Sequence, residues 1–252
     1  MELKKLREKI DELDKKIVGL LNERAKLTLK IAKIKEKLKE SPYVPDRERE
    51  VYRKITVANK GPLTNESLLA IYREIMSTSL SLEKHLKVAY LGPPATFTHI
   101  AALHKFGSQV GYLDCRSIGD VFNEVEKGNA DYGVVPIENS IEGAVTHTLD
   151  MFIDSDVNIC SEISLEIKHN LLANCRKDQI KKVYSNPQVF GQCRIWLETN
   201  LPHAELVEVS STTKAADLAS KEKFSAAIAS EMAAKYYGLK ILASSIEDRP
   251  HN

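Results

Sequence analysis

The stretch Leu6-Arg7-Glu8-Lys9-Ile10-Asp11-Glu12-Leu13-Asp14 belongs to a segment of forty residues in which apolar residues recur at alternating steps of three and four. This heptad pattern is typical of one long helix with an apolar seam. Nothing else in the segment can fold back on the seam, so the pattern predicts a homodimer in which a second copy packs against it. The residues of the seam are Leu3, Leu6, Ile10, Leu13, Ile17, Leu20, Leu27, Ile31, Ile34 and Leu38.

A charged residue interrupts the seam between Leu20 and Leu27, where the sequence has Arg24. Either this arginine extends its head out of the seam, or it binds an anion. Lys35 lies eleven residues further on, which places it about 16 Å along the axis and only about 20° around it, so both cations could reach one small anion. Arg7 lies about 25 Å from Arg24 and points about 100° to the side, so it could serve only a partner's site.

Composition and charge narrow the class of protein. A length of 252 residues predicts two domains. The net charge of +1 combines +7 in residues 1–87 with −6 in residues 88–252. The lysines of the first part alternate with acids and lack aromatic neighbours, which argues against a nucleic-acid partner. No leader or membrane-length apolar run is evident, and the four cysteines lack metal-type spacing. We therefore expect a cytoplasmic protein with no membrane partner, metal or cofactor.

Two shorter helices are predicted after the first. Pro42 ends the first helix, Asp46 is predicted to cap a second helix that runs to about Ala58, and Thr64 is predicted to cap a third. The third helix carries Ser79 and Glu83 on its inner stripe, one turn apart.

These residues and their spacing resemble the all-helical chorismate mutases over about the first 85 residues. The matching motifs are Leu6 to Asp14, Leu20-Leu21-Asn22-Glu23-Arg24, Lys35, Asp46-Arg47-Glu48-Arg49, and Ser79 with Glu83. The resemblance implies an entwined homodimer in which the partner's Arg7 completes a site made of Arg24, Lys35, Arg47, Glu48, Ser79 and Glu83. It also implies that the arginines bind the substrate carboxylates, that Glu48 receives the substrate hydroxyl, and that Lys35 and Glu83 flank the ether oxygen.

The chemistry implied by this resemblance suits the residues. Chorismate, a dianion, rearranges to prephenate in one concerted step, so the protein needs to bind one conformer and to stabilise charge on the breaking ether. Arginine pairs with carboxylates through two parallel hydrogen bonds. Many chorismate mutases have glutamine where this chain has Glu83. Only a protonated carboxyl group can donate a hydrogen bond, so we expect mutase activity to fall as the pH rises.

From Lys87 onwards, strand and helix patterns alternate, which predicts an α/β architecture. The predicted strands are 88–91, 132–137, 162–172, 182–184, 205–209, 226–229 and 240–243. The predicted helices begin near residues 96–98, after Ser117, after Asn139-Ser140, and at 190–199, 214–220 and 231–237.

Four motifs in this second segment resemble prephenate dehydratase across nearly all of residues 87–252. They are Gly92-Pro93-Pro94-Ala95-Thr96-Phe97-Thr98, Gly133 to Gly143, Ser185-Asn186-Pro187-Gln188 with Gln192, and Ser211-Thr212 with Ala215-Ala216. The resemblance implies two α/β lobes like those of periplasmic binding proteins, with prephenate in the cleft between them. It implies catalytic roles for Glu138, Asn139 and Gln192, and substrate binding by Thr96, Ser140, Ser185 and Thr212. Ala95 stands where the family usually has glycine.

The two resemblances together predict a bifunctional enzyme of phenylalanine biosynthesis, with a mutase domain at residues 1–86 and a dehydratase domain at 87–252. The sequence ends at Asn252, before the Thr-Arg-Phe motif and the regulatory domain that the family carries. It is thus interpreted as a shortened form whose dehydratase is impaired. Two alternatives remain: the α/β half only binds prephenate or an aromatic amino acid, or the chain is a structural coiled coil fused to a binding domain. Preference for prephenate over its amino analogue stays open.

Overall fold

The computed structural model describes residues 2–139 and 143–249. The chain divides into two compact units, one formed by Met1–Leu86 with Phe106–Gly111 and the other by Lys87–Lys105 with Tyr112–Asn252. The short segment 106–111 therefore packs with the helical unit, although it lies in the sequence predicted to form the dehydratase domain. The predicted combination of a helical part followed by an α/β part is confirmed.

Three helices make up the helical unit: α1 (Glu2–Leu38), α2 (Pro45–Ala58) and α3 (Asn65–Glu83). α3 packs against both α1 and α2. α1 is one continuous helix of 37 residues, as the heptad pattern predicts. Every residue of the apolar seam is between 49% and 65% exposed in the single chain. The seam thus faces away from the other helices of its own chain.

A different face of α1 packs inside the chain. On this face, Thr28 is buried, and Arg24 and Lys35 are half-buried. Arg24 was expected to interrupt the apolar seam. It does so in the sequence, and in the structure its half-buried guanidinium contacts Ser79 and Met76 of α3.

The two predicted helix caps have different outcomes. Thr64 caps α3 as predicted, since its side chain accepts a hydrogen bond from the Ser67 backbone N–H at 3.1 Å. Asp46 does not cap α2. The helix begins one residue earlier, at Pro45, whose fixed φ suits the first helical position. The carboxylate of Asp46 instead pairs with Arg49 at 2.5 Å on the surface.

The α/β unit contains two larger sheets, which correspond to its two lobes. The first sheet has the strand order β2-β1-β3, with β1 at Lys87–Leu91, β2 at Gly111–Cys115 and β3 at Tyr132–Val134. β1 and β3 run parallel. The helices that accompany this sheet are α4 (Phe97–Phe106), α5 (Ile118–Glu126) and α6 (Thr146–Ile153). A two-stranded hairpin joins β4 (Glu138–Asn139) to β5 (Gly143–Ala144).

The second sheet has five strands in the order β10-β6-β9-β7-β8. Its strands are β6 (Asn170–Ala173), β7 (Lys182–Ser185), β8 (Glu205–Glu208), β9 (Ser225–Ala229) and β10 (Lys240–Ala243). β7 runs parallel to β8 and β9, and β6 is antiparallel to both β9 and β10. The accompanying helices are α7 (Pro187–Gln192), α8 (Arg194–Asn200), α9 (Thr212–Lys221) and α10 (Glu231–Tyr237).

Several predicted elements of the α/β unit are wrong. The helix predicted after Asn139-Ser140 begins only at Thr146, because 143–144 pair with 138–139 as a hairpin. The strand predicted at 162–172 begins only at Asn170. Residues 162–168 alternate in exposure but belong to neither a strand nor a helix. The strand β2 was not predicted, and the predicted helix 190–199 is divided at Cys193 into α7 and α8.

Among the described residues, no helix combines the length and the apolar character that a membrane span requires.

Candidate active sites

The helical unit brings Arg24 of α1 into contact with Ser79 of α3. The Arg24 guanidinium donates hydrogen bonds to Ser79 Oγ and, at 3.0 Å, to Met76 Sδ. Ser79 Oγ itself donates to the Ile75 carbonyl at 2.8 Å, so the serine is held in place by its own helix. The guanidinium is thus oriented by α3 without a carboxylate among these contacts, and it retains its positive charge for an anion.

Lys35 and Glu83 form a second contact between the same helices. Lys35 Nζ lies 3.1 Å from Glu83 Oε2 and donates to the Pro42 carbonyl at 2.6 Å. The Lys35 and Glu83 side chains are only 19% and 11% exposed. Glu83 lies one helical turn beyond Ser79, so the two contacts are neighbours on α3. This is the juxtaposition of Arg24, Lys35, Ser79 and Glu83 that the sequence predicts.

Glu48 is a buried carboxylate in the first turn of α2. Its side chain is 5% exposed, and its Oε2 accepts a hydrogen bond from the Tyr43 hydroxyl at 2.8 Å. The charge of Glu48 also contributes to raising the pKa of Tyr52 to about 12, although burial of Tyr52 is the larger cause. A buried carboxylate that accepts a hydrogen bond from the fold is a typical feature of a polar binding site.

The structure does not bring Arg47 or Arg7 to this group within one chain. The Arg47 guanidinium pairs with Glu50 at 2.5 Å and its side chain is 61% exposed. That pair, together with Lys54, holds the pKa of Glu50 at about 2, with the hydrogen bond from Lys54 as the largest cause. Arg7 is exposed near the N-terminal end of α1. Their roles as carboxylate ligands stay predictions.

In the α/β unit, the loop after β1 leads to Thr96 and the start of α4. The Thr96 hydroxyl donates to the Leu91 carbonyl at 3.0 Å and accepts from the His99 backbone N–H at 3.3 Å, so it closes the loop and caps the helix. Ala95 is buried and has a φ of 68°, which is the left-handed region that glycine adopts without cost. The family's preference for glycine at this position thus has a conformational reason.

This loop contacts the second sheet. The Ser230 hydroxyl donates to the Ala95 carbonyl at 3.2 Å, and the Phe97 ring meets the His169 ring edge-on at 5.7 Å. The two lobes of the α/β unit therefore approach each other where the predicted dehydratase motifs lie.

The carboxyl ends of two parallel strands carry two more motifs. Ser185 ends β7, and its buried hydroxyl donates to the Ile228 carbonyl at 3.0 Å. Asn186 then caps α7, and Ser211 caps α9 immediately before Thr212, which is half-buried. Helices that begin at the carboxyl edge of a sheet direct free N–H groups towards an anion. In this structure Ser185 supports the sheet, and its contact with substrate stays a prediction.

A buried histidine that the sequence analysis missed lies beside Gln192. His169 is 1% exposed, its Nε2 lies 2.6 Å from Gln192 Oε1, and its backbone N–H donates to Glu247 at 2.9 Å. Its Nδ1 has no hydrogen-bond partner within the described part of the chain. The residue stands just before β6 in a run of alternating polarity, where a single histidine gives no sequence signal of its own.

The segment after β10 holds this region together. The Asp248 carboxylate accepts the backbone N–H groups of Ile195 and Trp196 at 3.0 and 3.1 Å, and its own N–H donates to the Gln192 carbonyl at 2.7 Å. Together with the bond from His169 to Glu247, these contacts fix the ends of α7 and α8. The sequence signal that could have identified this segment is an apolar residue, Ile246, followed by two acids, Glu247 and Asp248.

Two of the remaining predicted dehydratase residues, Glu138 and Asn139, form β4. Glu138 is exposed on β4, and the backbone of Asn139 pairs with Gly143. Ser140 lies outside the described residues. Their roles stay predictions.

The stability of the α/β unit is expected to decrease as the pH falls from 7 to 5, and His169 is expected to contribute. Burial is the main cause that lowers the pKa of His169, against opposing effects of the Gln192 hydrogen bond and the Glu247 charge. The unfolded chain then binds a proton that the folded chain does not, between the unfolded pKa of about 6.5 and the lowered folded value. The loss reaches at most about 1.4 kcal/mol per pH unit in that window.

Urea unfolding followed by the fluorescence of Trp196, the single tryptophan of the chain, measures this effect in the α/β unit. His169→Gln should make the pH dependence shallower, whereas the exposed control His203→Gln should leave it unchanged. Burial also lowers the pKa of His99. His99 should therefore leave a smaller pH dependence of stability, of the same sign, in the His169→Gln variant. An unchanged slope in His169→Gln would contradict the assignment.

Comparison with known proteins assigns both units. The family model for chorismate mutase type II matches residues 6–84, and the family model for prephenate dehydratase matches residues 88–252. The bifunctional chorismate mutase/prephenate dehydratase of Aquifex aeolicus is 52% identical over 256 residues, which cover 100% of this chain and 71% of the relative. The chain belongs to the bifunctional chorismate mutase/prephenate dehydratase family.

Other relatives agree with this assignment. The bifunctional chorismate mutase/prephenate dehydratase of Stutzerimonas stutzeri is 47% identical, again over 100% of this chain and 71% of the relative. Among solved structures, the prephenate dehydratase of Arthrobacter aurescens in complex with L-Phe aligns with a TM-score of 0.61 and 32% identity. That alignment covers 66% of this chain and 57% of the other chain. The two-unit enzyme thus combines a chorismate mutase domain with a prephenate dehydratase domain.

Proposed function

We propose that this chain converts chorismate to prephenate in its helical unit and prephenate to phenylpyruvate in its α/β unit, as a cytoplasmic homodimer without a cofactor. The observation that supports the first step best is the pairing of Arg24 with Ser79 one helical turn from the pairing of Lys35 with Glu83. Both cations stand on one face of α1, beside a helix that orients them. This arrangement suits a small dianion.

In the proposed mutase site, the protein binds and orients while the substrate rearranges within itself. Arg24 and Arg47 of one chain, together with the partner's Arg7, bind the carboxylates of chorismate. Glu48 accepts a hydrogen bond from the substrate hydroxyl. The Lys35 ammonium donates to the ether oxygen as the C–O bond breaks and negative charge develops on it. No proton is abstracted and no covalent bond to the protein forms.

The exposed seam supports the homodimer. Ten large apolar side chains along one helix are each about half exposed or more. A continuous apolar stripe of this length on a single helix is typical of a surface that a second helix covers. The proposed covering helix is α1 of a second copy of this chain, because each copy carries the same apolar seam. A dimer also brings an Arg7 to each site, which the single chain does not.

In the proposed dehydratase site, the α/β unit holds prephenate where its two lobes meet. The C–C bond to the ring carboxylate breaks, its electron pair enters the ring, and the hydroxyl leaves as water after it accepts a proton. Carbon dioxide, water and phenylpyruvate are the products. Glu138, Asn139 and Gln192 are the groups proposed to act on the leaving hydroxyl, while Thr96, Ser140, Ser185 and Thr212 bind the dianion. Gln192 is oriented by the buried His169.

A second candidate function concerns the α/β unit alone. A prephenate dehydratase relative has been solved in complex with L-Phe. The corresponding proposal is that this unit binds prephenate or an aromatic amino acid without converting it. Phenylpyruvate formation from added prephenate separates the two proposals.

Both reactions can be tested in one preparation with variants of the two units. We expect Lys35→Ala to lower chorismate consumption about a hundredfold and to leave phenylpyruvate formation from added prephenate unchanged. We expect Gln192→Ala to have the opposite effect. Lys33→Ala, an exposed neighbour on α1, should change neither rate. Loss of both activities in either variant would contradict two separate sites.

A further inference from the structure

Glu48 and Tyr43 form a buried polar pair at the start of α2. Both residues are 5% exposed, and the Tyr43 hydroxyl donates to Glu48 Oε2 at 2.8 Å. A buried carboxylate is costly unless hydrogen bonds support it, and one from a phenol is short and directional. A carboxylate has about four lone-pair positions, so a hydrogen bond from Tyr43 and one from a substrate hydroxyl are compatible.

Tyr43 is in turn supported by a residue from much later in the sequence. The rings of Tyr43 and Phe106 lie 5.3 Å apart at an interplanar angle of 54°, and Phe106 is also 5% exposed. Such tilted aromatic pairs contribute energy beyond their buried area. Phe106 is the first residue of the segment 106–111 that packs with the helical unit.

Several contacts fix the segment 106–111 to α3. The backbone N–H of Gln109 donates to Ser77 Oγ at 3.0 Å. The backbone and hydroxyl groups of Ser108 both donate to Glu74, at 3.2 and 2.5 Å. These bonds make Phe106 part of an ordered structure at the helical unit.

Gly107 permits this close approach. Its φ is 72°, and a Cβ placed there would lie 2.5 Å from the Ser77 Cβ. Only glycine fits this position without displacing α3 or the segment. The ring of Phe106 is thereby placed against Tyr43 by backbone geometry as well as by side-chain packing.

We propose that Tyr43 is a positioning residue of the chorismate mutase site, which it serves through Glu48, and that Phe106 fixes Tyr43. The Tyr43 hydroxyl holds the Glu48 carboxylate in the orientation that receives the substrate hydroxyl. Phe106 and its segment lie outside the sequence matched by the mutase family, so the mutase site of this chain depends on residues beyond its own domain. The inference rests on the proposed contact of Glu48 with the substrate.

A double-mutant cycle in the full chain tests this proposal. Tyr43→Phe keeps the ring against Phe106 and removes only the hydroxyl, and we expect the mutase kcat/KM to fall about tenfold, chiefly through a higher KM. In a Glu48→Ala background, the same change should alter kcat/KM less than twofold, because Tyr43 acts through Glu48. Phe106→Leu should lower kcat/KM severalfold in the native background and have little effect in Glu48→Ala.

Two controls separate positioning from folding. Tyr72→Phe, a half-buried tyrosine on α3, should leave mutase kinetics unchanged. Phenylpyruvate formation from added prephenate should be the same in all variants. An equal loss from Tyr43→Phe in both backgrounds, or no loss in the native background while Glu48→Ala is impaired, would overturn this inference alone. If Glu48→Ala retained full mutase activity, the proposed role of Glu48 would fail and this inference with it.

Discussion

Mixing inactive Arg7→Ala and Arg24→Ala chains is expected to restore chorismate mutase activity. Each variant alone should lose about a hundredfold to a thousandfold in kcat/KM, because each site loses one arginine that binds a substrate carboxylate. In a heterodimer one site combines the intact Arg24 of one chain with the intact Arg7 of the other. Random exchange of subunits makes half of the dimers heterodimers, so activity should recover to about a quarter of the native value.

The structure supplies the reason for expecting action in trans. Arg7 and Arg24 lie on the same continuous helix, seventeen residues and about 25 Å apart. Because α1 is one continuous helix, Arg24 contacts α3 of its own chain, whereas Arg7 is exposed near the start of the helix. The exposed seam from Leu3 to Leu38 runs past both residues.

The measurement is the mutase rate after the two variants are unfolded together and refolded. Native protein treated in the same way establishes the recovery, and Lys9→Ala, an exposed neighbour of Arg7, should retain native activity. If the mixture stays inactive while the native protein recovers, Arg7 does not act in the partner's site. Sedimentation of the native chain as a monomer would exclude the homodimer itself.

Glu83→Gln is expected to raise mutase activity about tenfold, because it removes a negative charge from beside the breaking ether. An amide donates a hydrogen bond to the ether oxygen at any pH, whereas a carboxylate cannot donate and its charge opposes the charge that builds on that oxygen. In the structure, Glu83 Oε2 lies 3.1 Å from the Lys35 ammonium. The substitution therefore also frees Lys35 from an ion pair, which leaves its charge available to the substrate.

The mutase kcat/KM values of native protein and variant, measured at one neutral pH, provide the test. The variant's value should be about tenfold higher than that of the native protein. Glu36→Gln, an exposed acid beside Lys35, removes the same charge from the surface and should keep the native rate. A Glu83→Gln variant with native activity, or with a lower activity, would show that Glu83 has another role.

The side-chain contacts of the helical unit were easier to anticipate from the sequence than those of the α/β unit. Arg24, Lys35, Ser79 and Glu83 lie on helices whose periodicity fixes which side chains share a face, so their meeting follows from spacing once α1 and α3 pack. Arg47 shows the limit of this reasoning. Its position in the first turn of α2 is compatible with the site, but in one chain its guanidinium pairs with Glu50. Local spacing does not decide between a ligand and a surface ion pair.

His169 and Gln192 show why the dehydratase site was harder to predict. They are 23 residues apart in the sequence, and their contact depends on the sheet that places β6 beside the helices following β7. The predicted helix after Asn139 failed for a related reason. The Asn-Ser pair has the composition of a helix cap, but pairing of 138–139 with 143–144 competes with helix formation.

The sequence by itself determined the long helix, its apolar seam, the Thr64 cap and the change to an α/β pattern at Lys87, because periodicity and capping depend on residues within one or two turns. Only the tertiary structure decided that Arg24 contacts Met76, that Ala95 adopts a left-handed backbone, and that 106–111 packs with the helical unit. Each of these depends on groups that are distant in sequence. Phe106 reaches Tyr43 across 63 residues, and no local pattern encodes which surface an aromatic side chain will meet.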